Sequence, residues 1–233
     1  MSTGKLILVP MPIDENSKMS ESSLDILRNA ILSKDRTFVV EDLKPARRNW
    51  LRHGLDRAEI ENFLQLNEHN AREMTKKLTE MLLKGEHIYL MSDAGMPAFL
   101  DPGRELVQAC HHHHICVTSL YFSNSVILAL ALSGFYHRQF FFAGFVPQKN
   151  DERVEFFKKL EFCQSTTILI DTSYRMHKLL AEIESFDHLK MRTYFLAIDL
   201  NKPTEFLLRG SIAELLNKTK NIKGEFILII EQK

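Results

Sequence analysis

Cysteine is scarce in this chain and carries no pairing signature: Cys110, Cys116 and Cys163 are three in number and include no CxxC pair. That excludes a disulfide framework and leaves buried thiols in a reducing compartment as the expectation. Long apolar runs are lacking too. No segment reaches membrane-spanning length, and the apolar stretch within MSTGKLILVPMPIDEN is too short for a signal peptide, so a cytoplasmic protein with no membrane contact is expected. Neither sign of charge is in excess. The 30 Lys and Arg balance 30 Asp and Glu, so no global field draws nucleic acid, and any such contact must be a local patch. The nine glycines form no GxGxxG, and no GK[ST] occurs, which argues against the usual phosphate loops. Hydrolase chemistry is unsupported, because no Ser-His-Asp or Cys-His order or nucleophile elbow stands out.

What is present is an alternation of strand-like and helix-like segments across 233 residues, enough for two α/β domains. Lys5 to Val9 reads as a buried strand closed by Pro10, Met11 and Pro12. Ser22 to Leu32 has helical spacing, Phe38 to Val40 is a short strand, and Ala58 to Leu66 and Ala71 to Leu83 read as helices. His87 to Met91 and Ile115 to Val117 are further strands. The helix Ser125 to Leu132 is apolar nearly all round and needs cover on several sides. Strands follow at Phe140 to Phe142, Thr166 to Ile170, Thr193 to Ile198 and Glu225 to Ile230. Between them lie helices at Glu152 to Leu160, Arg175 to Glu184 and Ser211 to Leu216. The expectation is a mainly parallel sheet in residues 1–119 and a mixed sheet in 120–233.

The most informative stretch is Ser92 to Gly103, SDAGMPAFLDPG, between a strand and a helix. In open α/β sheets ligands collect at the carboxyl ends of strands, where small residues let a ligand lie against bare backbone. Asp101 and Pro102 read as N-cap and first-turn residues of the helix after this crest. Glu41 and Asp42 end the second strand, where they either orient a substrate hydroxyl or cap the next turn. The segment after them, Lys44 to His53, gathers positive charge around the only tryptophan, Trp50. It is either a phosphate-binding patch with a stacking ring or a solvated helix face over a buried indole. The four histidines His111 to His114 point about 100° apart in a helix, so at most two could share an ion, and a solvated helix end is the better reading. No metal is expected.

In order, LILVPMPI, VVED with its basic segment, NEHN at 67–70, the crest, AGFVPQK at 143–149 and KGEFILIIE together resemble the tetrapyrrole methylase superfamily, and within it the group that 2′-O-methylates a ribose of small-subunit rRNA. The resemblance runs over essentially the whole chain. It implies two α/β domains holding S-adenosylmethionine in the cleft between them, usually in a homodimer. It places donor contacts at Pro10, Met11 and Pro12, at Asp93, Ala94, Gly95, Met96, Pro97 and Phe99, with Asp101 in the same motif, and at Asn124, Ser125, Ile170, Asp171 and Ala197. On the acceptor side it suggests Glu41, Asp42, His69 and Asn70 around the reacting hydroxyl, with Glu41 as proton acceptor or orienter. Lys44, Arg47, Arg48 and Arg175 would meet phosphates of rRNA or of the small ribosomal subunit. The chain departs from the family pattern at Tyr121, Phe122 and Ser123, where a PGP sequence is common, and at Met96, where Thr is usual. It departs again at Ile170-Asp171-Thr172 and Ala197-Ile198-Asp199. These departures keep two other readings open, a methyltransferase for a tetrapyrrole or other small metabolite, and a donor-binding module without turnover.

Overall fold

The computed structural model describes residues 3–14, 16–122 and 124–233. The chain divides into two compact units, 1–123 and 124–233.

In the first unit β1 (Lys5–Val9), β2 (Arg36–Val40), β3 (Leu64–Gln65), β4 (His87–Met91) and β5 (Cys116–Ser119) form a five-stranded sheet in the order β3-β2-β4-β1-β5. Every pairing in it is parallel. Both faces are covered, which is why β1 reads as a continuous apolar run. Ile7 and Val9 pack with α1 (Glu21–Leu32) and α2 (Leu43–Arg52), while Leu6 packs with α3 (Ala71–Leu83) and α4 (Arg104–His112). Because the strands are parallel, all their carboxyl ends open on one rim.

The second unit carries α5 (Ser125–Ser133), β6 (Phe140–Phe145), α6 (Asn150–Glu161), β7 (Thr166–Asp171), α7 (Met176–Glu184), α8 (Asp187–Lys190), β8 (Tyr194–Ile198), β9 (Phe206–Gly210), α9 (Ile212–Lys218) and β10 (Phe226–Ile230). Its sheet runs β6-β7-β10-β8-β9, with β6 parallel to β7 and the other pairings antiparallel. Residues of α6, α7 and α9 cover one face and those of α5 the other. The fold is therefore α/β, with a parallel sheet followed by a mixed one.

Several local expectations are corrected. Residues 58–66 are not a helix: Arg57–Asn62 is a 3₁₀ turn, and Leu64–Gln65 pairs with Val39 and Val40, so extension of the sheet outweighs helical spacing. The edge strand β9, FLLRG, is a strand that the sequence pattern does not mark, since its apolar residues do not alternate with polar ones. The helix α5 buries Ala129, Leu130 and Ser133 but leaves Ile127 and Leu132 exposed, so it is not covered all round. Only Cys110 is a buried thiol; Cys116 is exposed on an edge strand and Cys163 is half-buried. Trp50 is core, not surface. It is 2% exposed, donates its indole N–H to the Asp56 carbonyl, and meets Phe38 and Phe63 edge-on at 4.9 and 5.2 Å. Each such ring pair adds about 1 kcal/mol beyond area burial.

No helix among the described residues is long and apolar enough to cross a membrane.

Candidate functional site

The rim of the first unit is stitched loop to loop. After β1, Met11 forms an antiparallel bridge with Gly95 of the crest, with N–H···O distances of 2.9 and 2.8 Å. The Gly95 carbonyl also accepts from the Ser92 hydroxyl at 2.9 Å. Next to the crest, the Asp42 amide donates to the Asp93 carboxylate at 3.3 Å, and the Asp93 amide reaches the Glu41 carboxylate. The Gln65 side-chain amide donates to the Glu41 carbonyl, tying in the end of β3, whose following loop is held by the Asn70 side-chain amide on the Gln65 carbonyl. The loops after β3, β2, β4 and β1, four neighbouring strands, thus form one hydrogen-bonded band.

Within the crest the backbone is bent at unusual angles. Gly95 has φ +77°, Ala98 +64°, Leu100 +66° and Gly103 +120°. Left-handed conformations at non-glycine residues are uncommon and hold only where surrounding contacts determine them, a pattern concentrated at functional sites. Gly103, not Asp101, is the N-cap of α4. A Cβ at Gly103 would fall 2.6 Å from Leu90 Cδ2, so the chain turns into the helix tight against β4. That turn leaves the Asp101 carboxyl off the helix terminus and on the rim side, near Glu41 and Asp93. At Gly95, by contrast, a Cβ would meet nothing within 4 Å.

Three carboxyls share this edge. Burial, followed by the charges of Glu41 and Asp93, pushes Asp101 up to about 6. Burial and then Asp93 raise Glu41, against the opposing Asp93 amide; burial also raises Asp93, against the Asp42 amide. Among the described residues no group of three His, Cys, Asp or Glu is arranged to hold a metal ion. The raised Asp101 has a thermodynamic consequence. Its folded state binds a proton more readily than the unfolded chain, whose Asp titrates near 3.9, so stability falls as pH rises from about 4 through 6. Asp101→Asn is expected to flatten that part of the stability profile in urea titrations at pH 4 to 7. An unchanged slope would show that Asp101 titrates like an exposed carboxyl.

The other positions expected on an acceptor side differ in what they leave available. Asp42 caps α2, its carboxylate accepting from the Lys44 amide at 3.0 Å. Asn70 uses both ends of its amide on the Asn67 amide and the Gln65 carbonyl. His69 is exposed on the same turn. Lys44, Arg47 and Arg48 are exposed on α2, while the opposite face of that helix holds Asn49 and His53. Asn49 donates to the Asp93 carbonyl at 3.0 Å. His53 accepts from the Met19 amide at 3.1 Å and meets the Asn49 carbonyl at 2.7 Å. These contacts lock α2 to the crest, a coupling with no local sequence signal. Burial lowers the His53 pKa, in keeping with a neutral ring that donates through one nitrogen and accepts through the other.

Among the other positions expected to meet the donor, Pro10 and Pro97 are buried, Pro12 and Met96 are half-buried, and Ala94 and Phe99 are exposed. The Ser119 hydroxyl approaches Met96 Sδ at 3.9 Å. In the second unit, Asn124 caps α5 through the Val126 and Ile127 amides, and Ser125 opens that helix. Ser123 lies outside the described residues. Ile170 and Ala197 pack in the layer beneath α5. The Asp171 carboxylate is buried between Arg153 and Arg175, and Arg175 also reaches the Tyr174 hydroxyl, so its guanidinium already has partners. The four histidines are exposed at the end of α4.

No family model matches the chain. Among solved structures it is similar to a diphthine synthase, with TM-score 0.68 and 12% identity over 98% of this chain and 90% of that one. It is also similar to a uroporphyrin-III-C-methyltransferase from Thermus thermophilus, with TM-score 0.55 and 15% identity over 98% and 94%. These likenesses define the class of fold, that of the tetrapyrrole methylases. Among curated proteins, the ribosomal RNA small subunit methyltransferase I of Xylella fastidiosa is 31% identical over 99% of this chain and 83% of its own length. Those of Pasteurella multocida and Bacillus subtilis are 31% and 30% identical, over 99% and 98% of this chain and 80% and 75% of their own. The chain belongs to the ribosomal RNA small subunit methyltransferase I family and is a methyltransferase.

Proposed function

We propose that the protein transfers a methyl group from S-adenosylmethionine to a ribose 2′-hydroxyl of small-subunit rRNA. The observation that carries the donor part is the Met11–Gly95 bridge, which sets an open glycine surface beside three carboxyls with raised pKa. Carboxyls raised by burial and by one another at a glycine-lined rim suit a cationic ligand, and this donor carries a sulfonium and an ammonium. Because the Gly95 N–H and C=O are both engaged, the crest would offer the donor a Cα face there, with Ala94, Met96 and Pro97 around it. Bound donor would supply an already activated methyl group, with its sulfur as the leaving group that keeps the electron pair. The chain's own task is then to align the acceptor and accept its proton. Glu41 is the carboxylate for that step, since burial beside Asp93 strengthens it as a base. His69 would border the acceptor, Asp42 and Asn70 would hold the loops around it, and Lys44, Arg47 and Arg48 would meet phosphates. Arg175 would join them only by leaving Asp171. A homodimer belongs to the same proposal, and sedimentation tests it.

Calorimetry with S-adenosylmethionine is the deciding measurement for the donor, and no heat at millimolar donor would end the proposal. Transfer of labelled methyl to unmodified small ribosomal subunits tests the acceptor. The double charge reversal Arg47→Glu with Arg48→Glu should weaken RNA association and shrink the slope of log affinity against log salt by roughly two or more. An unchanged slope would remove α2 from the RNA contact.

A further inference from the structure

We propose that Tyr121, together with Phe99 across the Met96–Ser119 contact, forms a stacking platform for an unpaired nucleobase of the RNA acceptor. The inference rests on the RNA reading above and names a contact within it. Proteins that recognise RNA by sequence bind mainly single-stranded nucleotides, whose splayed bases need aromatic faces. Trp50 supplies none, because its ring is sealed in the core. Among the exposed large apolar side chains of the described residues in the first unit, two are aromatic, Phe99 at 44% and Tyr121 at 78%.

Both stand on the carboxyl rim. Phe99 belongs to the loop after β4 and Tyr121 follows β5, and these strands flank β1 on either side. The Ser119 hydroxyl at 3.9 Å from Met96 Sδ brings the two loops together. Each ring sits on anchored backbone. The Phe99 amide bonds the Met96 carbonyl between the left-handed residues Ala98 and Leu100, and Leu120 is buried with its amide on the Leu8 carbonyl. A single exposed apolar residue is ordinary on a protein surface. What distinguishes these two is aromatic character on the same rim where α2 starts, with the exposed cations Lys44 and Arg47. Phosphate and base contacts would then share one edge of one unit.

The test is fluorescence anisotropy of a labelled single-stranded pyrimidine decamer over a salt series, with wild type, Tyr121→Ala, Tyr121→Trp and the Arg47/Arg48 reversal. Loss of one stacked base should weaken binding about tenfold at every salt concentration. The salt slope should stay parallel to wild type, because no phosphate contact is removed. Tyr121→Trp should restore binding, and the melting temperature should hold throughout. Unchanged affinity in Tyr121→Ala, a loss that Trp does not restore, or a loss accompanied by a changed oligomeric state in sedimentation would overturn the inference. Failure of wild type to bind the decamer while it binds donor would overturn it together with the acceptor reading. Binding by wild type with no effect at Tyr121 would remove the platform alone.

Discussion

Gly95→Leu is expected to lower affinity for S-adenosylmethionine by on the order of a hundredfold while the first unit stays folded. The two effects separate because of where the missing Cβ points. At φ +77° any other residue is strained, and left-handed backbone costs about 1–2 kcal/mol. No protein atom lies within 4 Å of the added Cβ, so there is no packing penalty to add. On the proposed reading, the open space at Gly95 is the space the donor would use, so the leucine would compete with it. Gly103→Ala should behave in the opposite way. Its φ of +120° is outside the normal range of an L-residue, and the new methyl would fall 2.6 Å from Leu90 Cδ2 in the core, so a stability loss of roughly 3 kcal/mol is expected. Calorimetric donor titration and thermal unfolding of both variants check the pair. Donor binding of wild-type strength in Gly95→Leu would move the donor away from the crest.

This contrast between two glycines of one twelve-residue segment also shows where reading the sequence stops. The segment was recognisable because glycine, alanine and proline cluster between an apolar strand and a helix, a local property. Which glycine opens on free space and which faces Leu90 depends on a backbone path through the left-handed residues between them, and Ala98 and Leu100 announce nothing. The acidic cluster is likewise a product of strand order. Glu41, Asp93 and Asp101 belong to loops after β2 and β4, which are neighbours only because the sheet runs β3-β2-β4-β1-β5. Hydrophobic periodicity identifies β2 and β4 as strands but not as a pair. For Trp50, the flanking cations leave a stacking ring and a buried indole equally open, and the helical spacing of Ala46, Asn49, Trp50 and His53 toward the core decides for the buried one. The α/β alternation was legible except at the short edge strands β3 and β9, because each sheet is covered on both faces and its inner strands stand out as apolar runs.

Arg153→Met is expected to destabilise the second unit by about 3–5 kcal/mol, the usual result of breaking a buried ion pair from one side. Arg153 is 2% exposed and the Asp171 side chain 1%. Arg153 donates to the Pro147 carbonyl at 2.8 Å and to Asp171 at 3.4 Å, and its other nitrogens hold the Glu182 carboxylate of α7. Met keeps the aliphatic stem of the side chain but removes its charge, leaving the buried Asp171 carboxylate with the Thr172 amide at 2.8 Å and with Arg175 at 3.4 Å as its remaining cation. In a chain of 233 residues the loss should appear as a fall in melting temperature of about 10 °C. Asp171→Asn in the Arg153→Met background removes the stranded charge and should recover part of it, so the double-mutant cycle separates the ion pair from simple packing. No recovery would mean that Arg153 acts through packing, for instance over the Phe157 ring at 5.7 Å. The cycle also bears on function, since Asp171 ends β7 directly after Ile170. If the backbone there meets the donor, the Arg153→Met variant should lose donor affinity at temperatures where it is still folded, and the Asp171→Asn partner should return some of it. Donor affinity that ignores the whole cycle would confine this network to stability and leave donor binding to the Met11–Gly95 rim of the first unit.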